Sequence, residues 1–236
     1  MKKYKKEDLE SYTLGTTLTL ELLNKKVNLV KRVYIHSKQE KNETLDKILN
    51  ICNKNKIEVI YSDKIINTLS EKENCYVIGV FKKYESKLDY SKNHIVLVNP
   101  SNMGNLGTII RSAVGFGILN IAIIKPAVDL FSPKVIRSSM GAIFNVNIEY
   151  FDDFNAYLKE KRNCYPFMLK ATTSLSKVII KEPYSLIFGP EASGLDDSYL
   201  NVGCPLIIRH NNTIDSLNLD NAVSIALYEF TKNDFK

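Results

Sequence analysis

The 236-residue chain has no apolar run near the ~18 residues that a membrane-spanning helix needs. Its first residues, Met1 to Asp8, are charged and lack the apolar stretch of a secretory leader. A cytoplasmic protein with no membrane partner is the expectation. Cysteine is sparse: Cys52, Cys75, Cys164 and Cys204 are far apart, with no Cys-x-x-Cys and no clustered His/Cys spacing. No metal site is expected, and the thiols read as reduced. Neither Gly-x-x-x-x-Gly-Lys-Ser/Thr nor Gly-x-Gly-x-x-Gly occurs, and Gly115-Phe116-Gly117 lacks the third glycine, so triphosphate and dinucleotide folds lose support. No Ser/His/Asp or Cys/His hydrolase pattern is present. Of three histidines, His36 and His94 read as surface or strand-end residues, while His210 lies in a polar loop where it could touch a substrate.

What is present is the make-up of a globular protein, 44% apolar and 25% charged, long enough for one large domain or two small ones. Charge is uneven. Residues 1–90 carry 18 basic and 13 acidic side chains and residues 91–236 carry 14 and 13, which puts +5 of the net +6 in the first part. That excess suits a polyanionic partner, and it also suits a plain lysine-rich surface. Only five of the 32 basic residues are arginines, which draws attention to Arg111, Arg137 and Arg209 as places where a planar fork of donors is required.

The polar, aperiodic stretch 82–93 separates two apolar strand-like runs and marks a domain boundary, giving domains 1–90 and 91–236. The first alternates a helix over 6–24, a strand 32–36, a helix 43–53, a strand 57–60, a short helix 63–70 and a strand 76–81, a small α/β/α layer domain. The second continues with strands 95–98, 120–124, 146–150, 166–169, 185–188 and 205–208 and helices 105–116, 132–139, 152–161 and 217–231. This is an α/β pattern with a mainly parallel sheet covered on both faces. Leu106, Ile109, Ile110, Ala113 and Phe116 form one apolar stripe, and Leu219, Ala222, Val223, Ala226, Leu227 and Phe230 another, with Ser216 placed as the cap of the last helix.

Three polar clusters follow apolar strands, where ligands gather in open α/β sheets. The first runs from Asn99 to Arg111 and includes Gly104, Asn105 and Gly107; free amides at its helix start could bind an anion such as an RNA phosphate. The second is Phe188-Gly189-Pro190-Glu191-Ala192-Ser193-Gly194-Leu195, a glycine turn with one carboxylate at its tip. The third runs from Ile207 and Ile208 through Arg209-His210 to Ser216-Leu217-Asn218. Singly, each also reads as an ordinary turn with a helix cap.

In series, the three clusters resemble the SpoU (TrmH) family of RNA 2′-O-ribose methyltransferases of the SPOUT superfamily, over about residues 95–236. Asn105 and Arg111 match its first motif, Phe188-Gly189-x-Glu191-x-x-Gly194-Leu195 the second, and Ser216-Leu217-Asn218 the third. Residues 132–142 also look like the family's sequence between the first and second motifs. Residues 1–90 are similar to a ribosomal-protein-like RNA-binding domain. The resemblance implies a C-terminal α/β trefoil-knot domain, S-adenosylmethionine as methyl donor with S-adenosylhomocysteine as product, and RNA, ribosomal or transfer, as substrate. It implies a homodimer, with no DNA and no membrane partner. It assigns Asn105, Arg111, Glu191, Ser216 and Asn218 to catalysis, with Phe188, Gly189, Pro190, Gly194, Ile207, Ile208, Ser216 and Leu217 around the donor. Arg111 is read as a phosphate clamp oriented by Glu191, or alternatively as a general base. The chain departs from the family where Arg209-His210 replaces a usual Pro-Met. Two other readings stay open: an RNA-binding protein without catalysis, and a plain α/β nucleotide-binding enzyme.

Overall fold

A computed structural model describes residues 2–70, 74–158, 161–211 and 213–235. Asn212 of the third cluster and residues 159–160 of the helix expected over 152–161 lie outside the described residues. In chain order the strands are β1 (Glu10–Tyr12), β2 (Val30–Ile35), β3 (Glu58–Tyr61), β4 (Val77–Lys82), β5 (His94–Val98), β6 (Asn120–Ile124), β7 (Asn147–Phe151), β8 (Asn163–Pro166), β9 (Thr173–Ser174), β10 (Tyr184–Phe188) and β11 (Leu206–Ile207). The helices are α1 (Thr16–Lys26), α2 (Glu43–Lys54), α3 (Asp63–Leu69), α4 (Met103–Gly115), α5 (Pro133–Ser138), α6 (Phe154–Tyr157) and α7 (Leu219–Thr231).

The chain divides into two compact units, 1–84 with 129–145, and 85–128 with 146–236. The boundary therefore differs from the expected 90/91: it falls near 84/85, and residues 129–145 belong with the N-terminal unit. Aromatic packing is the reason. Phe81 on β4 meets Phe131 edge-on at 6.0 Å and Phe144 at 5.4 Å, and Ser11 Oγ donates to the Phe131 carbonyl at 2.6 Å.

In this first unit the sheet order is β1-β4-β2-β3, with β2 and β3 parallel and the other pairs antiparallel. The helix expected over 6–24 is a strand followed by a helix. Gly15 sits at φ 109, a backbone conformation that side chains oppose, and there the chain turns from β1 into α1. His36 is buried just past β2 rather than on the surface.

The second unit carries a five-stranded sheet in the order β7-β6-β5-β10-β8, with every neighbouring pair parallel. Val96, Ala122 and Ile187 stand side by side on one face of it. Ile95, Leu97, Ile121, Ile123 and Leu186 alternate onto the other, and all are fully or almost fully buried, so both faces are covered. Strand β8 lies three residues earlier than expected, and the Phe167 amide just past it still donates to the Ile187 carbonyl at 2.9 Å. Strand β11 is only two residues and pairs with the unanticipated β9 rather than with the main sheet. Order reverses beside β5, which lies between β6 and β10, so the carboxyl ends of β5 and β10 open a crevice.

At the opposite end of this sheet, a buried hydrogen-bond chain has one consistent direction. The Asp89 carbonyl can only accept, so His94 Nε2 donates to it at 2.9 Å. His94 Nδ1 then accepts from the Tyr157 hydroxyl at 2.9 Å, which accepts from Ser185 Oγ at 2.6 Å, which accepts from Arg162 Nε at 2.9 Å. Burial, with the Arg162 charge adding to it, pushes the imidazole down to about 4 against the pull of the Asp89 carbonyl. A histidine depressed in this way stabilises the fold fully above its unfolded value of about 6.5 and loses that contribution as pH falls towards 4. Unfolding by urea is expected to show a loss of up to about 3 kcal/mol between pH 7 and pH 4, with a shallower slope for His94→Gln. Parallel slopes for the two proteins would assign the acid sensitivity to other groups.

Candidate functional site

The crevice is built from the ends of two neighbouring strands. Leu97 of β5 pairs with Phe188 of β10, so the loop 99–102 leading into α4 and the loop 189–195 leave the sheet side by side. Glu191, at the tip of the second loop, reaches across to the first. Its carboxylate accepts from Ser101 Oγ at 2.9 Å, from the Ser101 and Asn102 amides at 3.4 and 3.3 Å, and from Asn105 Nδ2 at 3.4 Å. Partial burial raises the Glu191 pKa, but its own backbone amide together with the Ser101 and Asn102 donors outweighs it and the net displacement is downward, so the group is an anion at neutral pH.

This arrangement corrects two expectations. The amides at the start of α4 are not free for a phosphate: Asn102 Oδ1 accepts from the Gly104 and Asn105 amides at 2.8 and 3.2 Å, and Glu191 takes the amides before them. The chain supplies its own anion to that helix end. Nor does Glu191 orient Arg111. Arg111 lies six residues beyond Asn105 on α4, about 9 Å along the helix axis, and its exposed side chain has no hydrogen bond or ion pair among the described residues.

Asn105 is the junction of the site. Its Nδ2 lies 3.4 Å from Glu191 Oε1 and 3.4 Å from Asn218 Oδ1, two long contacts that link the first, second and third clusters. Both partners are acceptors, which fixes which way the amide faces. Asn218 also accepts from the Leu219 amide at 3.0 Å and so caps α7. That cap was expected of Ser216, which instead lies exposed on the rim of the adjoining cavity. Helices α4 and α7 are joined farther along by a Ser112–Ser224 hydroxyl bond of 3.0 Å.

Beside this junction lies a cavity of about 560 Å³. All eight residues expected around a donor line it: Phe188, Gly189, Pro190, Gly194, Ile207, Ile208, Ser216 and Leu217, together with Glu191. The turn that forms one wall admits only glycine at its first position, since a Cβ on Gly189 would stand 2.3 Å from the Gly194 carbonyl carbon. Asn105, Arg111 and Asn218 are not among the lining residues.

A third wall went unread in the sequence. Phe167, Met168 and Lys170, past the end of β8, also line the cavity, and Phe167 stacks on Phe188 at 4.5 Å with the rings 10° from parallel. No polar motif marks this stretch; the signal available was position alone, since β8 pairs with β10 and must end beside it. Asp196, Asp197 and Asp215 add acidic groups to the lining, Asp197 being held by Lys170 at 2.7 and 2.8 Å.

The arginines sort cleanly. Arg32 pairs with Glu10 at 2.6 Å, and Arg162 donates to Ser185 Oγ and to the Tyr90, Lys92 and Tyr184 carbonyls. Arg111, Arg137 and Arg209, the three singled out from the sequence, are exposed and have no side-chain partner among the described residues.

Comparison with known proteins finds RNA methyltransferases. An uncharacterized tRNA/rRNA methyltransferase of Synechocystis is 31% identical over 152 residues, 62% of this chain and 55% of that protein. The 23S rRNA (guanosine(2553)-2′-O)-methyltransferase RlmP of Bacillus subtilis is 26% identical over 151 residues, 61% of this chain and 60% of the relative. The chain thus spans less than two thirds of either. An AdoMet-bound rRNA methyltransferase from Sinorhizobium meliloti shares the fold with a TM-score of 0.83 at 22% identity, over 97% of this chain and 89% of that one. The model of the SpoU rRNA methylase family matches residues 92–228, the stretch that holds every strand end and loop of the crevice, and the chain belongs to that family.

Proposed function

We propose that this protein transfers a methyl group from S-adenosylmethionine to a ribose 2′-hydroxyl of structured RNA, ribosomal or transfer. The observation that carries the reading is the meeting of Asn105, Glu191 and Asn218, from three separate clusters, beside a cavity of 560 Å³.

The cavity suits the donor. Its volume lies within the roughly 300–1,000 Å³ of small-molecule sites. Phe188, Ile207, Ile208 and Leu217 offer apolar surface to an adenine, and the glycine turn lets backbone approach the ligand. Glu191, Asp196 and Asp215 give the lining the negative charge that a sulfonium and an α-ammonium group prefer, Asp197 being paired with Lys170. When bound, S-adenosylmethionine supplies an electrophilic methyl.

Everything else is the work of side chains. The 2′-hydroxyl is a poor nucleophile and must be held in line while its proton leaves. Asn105, fixed by an anionic Glu191, and the rim hydroxyl of Ser216 are the groups to orient it, with Asn218 holding Asn105 and the start of α7 in register. Arg111, whose guanidinium presents a planar fork of donors, clamps the adjoining phosphate. Since Arg111 makes no hydrogen bond or ion pair with its own chain's Glu191–Asn105–Asn218 junction, a homodimer in which each copy lends its arginine to the other's crevice fits the reading. The N-terminal unit would hold the RNA. A C-terminal trefoil knot and a cytoplasmic setting complete the proposal.

Calorimetry with S-adenosylhomocysteine tests the cavity, and transfer of labelled methyl to RNA from cells lacking the protein tests the reaction. Donor binding without transfer to any RNA would favour an RNA-binding protein that has kept the fold alone.

A further inference from the structure

His210 lines the cavity two residues beyond Ile208. Its Nδ1 lies 3.0 Å from the Ile208 carbonyl oxygen. A carbonyl only accepts, so Nδ1 carries the proton, and in the neutral ring Nε2 is left as a bare acceptor. No partner occupies Nε2 among the described residues. A half-buried, backbone-oriented imidazole is thus held against a cavity wall with an unused lone pair.

The neighbours of His210 say which part of a ligand it meets. Ile207 and Ile208 precede it and Leu217 follows in the same loop, apolar side chains that line the cavity and suit a purine base. Of the lining carboxylates, Glu191, Asp196 and Asp197 belong to another segment, and Asp215 shares the loop but stands five residues on from His210, beside Ser216. A base seated on the isoleucines presents its polar edge to the residue that ends that surface. Among the four common bases, a 6-amino purine offers a donor there and a 6-oxo purine an acceptor.

Resting on the reading of the cavity as the methyl-donor site, we infer that His210 Nε2 accepts a hydrogen bond from the exocyclic amine of the donor's adenine and is a specificity-determining residue for it. A 6-oxo base would set two acceptors against each other. The Arg209-His210 pair that departs from the family's usual sequence then serves recognition of the base, with the side chain of His210 acting as the reader.

The test is calorimetry on the full chain with S-adenosylhomocysteine and S-inosylhomocysteine, which differ in the 6-substituent and at N1, an acceptor in the first and a donor in the second. The unaltered protein should prefer the adenosine compound by about tenfold or more. His210→Phe keeps a planar ring and removes the acceptor; it should bind the adenosine compound about tenfold more weakly, bind the inosine compound within about twofold of the unaltered protein, and so erase the preference. His210→Gln, whose amide oxygen can accept, should recover part of it. An unchanged preference in His210→Phe overturns this inference alone. Failure of the unaltered protein to bind S-adenosylhomocysteine overturns the donor-site reading and the inference with it.

Discussion

Arg111→Lys is expected to lower methyl transfer about a hundredfold, the size of effect seen when one donor to developing charge is removed, while S-adenosylhomocysteine affinity stays within about twofold and melting temperature is unchanged. The last two expectations follow from the structure. The Arg111 side chain makes no hydrogen bond or ion pair among the described residues and does not line the cavity, so neither the fold nor the donor site depends on it. The first follows from chemistry. Lysine keeps the positive charge but not the fork of coplanar donors that holds a phosphate at two points. Retention of most of the turnover would refute a clamp of fixed geometry. If instead the unaltered enzyme shows a steep rise of rate with pH that the lysine variant lacks, Arg111 acts as the general base.

The second large effect is structural. Gly189→Ala places a Cβ 2.3 Å from the Gly194 carbonyl carbon, 2.4 Å from the Leu195 nitrogen and 2.7 Å from the Gly194 oxygen, all backbone atoms of the same turn. No side chain can swing aside to relieve this. The Gly194 amide, bonded to the Pro190 carbonyl at 2.9 Å, holds the turn shut from within. The turn must open, and it forms a wall of the cavity. S-adenosylhomocysteine affinity should fall by more than about a hundredfold, with about 2–4 kcal/mol lost from the stability of the second unit. Gly194→Ala is the control: that residue has φ 68 but nothing within 4 Å of a new Cβ, so only the left-handed strain of about 1–2 kcal/mol applies. Calorimetry and denaturant unfolding of both variants make the comparison, and equal effects would show that backbone conformation, rather than the clash, governs the turn.

How much of this was legible beforehand depends on whether the information was local. The strands of the second sheet are short apolar runs bounded by polar turns, and period alone located β5, β6, β7 and β10 to within about a residue. The eight cavity-lining residues were named through the resemblance to the SpoU family, and the clusters that carry them lie at or beyond strand ends. What could not be read is pairing between distant side chains. That Glu191 would bind the loop before α4 rather than steer Arg111 depends on how β10 registers against β5, and that register is a property of the folded sheet. The same holds for residues 129–145, whose phenylalanines join the N-terminal unit through Phe81.

Two local signals were present and misread. Gly15 marked the break between β1 and α1, and a helical pattern drawn across it hid the strand. Asn218, immediately before the apolar stripe of α7, is as good a cap as Ser216 and is the one used, because its carbonyl group also has Asn105 to bind. The exposure of Arg111, Arg137 and Arg209 shows what the opposite kind of reasoning can reach. In a chain that uses lysine for ordinary charge, arginines Arg32 and Arg162 hold the fold together through several donors each, and the other three have those donors to spare.

The chemistry proposed for the crevice turns on which atom receives the methyl group. RNA labelled by the protein from isotopic S-adenosylmethionine can be digested to nucleosides and fragmented in a mass spectrometer. The account predicts that the added methyl stays with the ribose, and that RNA bearing a 2′-deoxy nucleotide at the mapped position takes up no label. A methyl group found on the base, or labelling that survives loss of the 2′-hydroxyl, would contradict it.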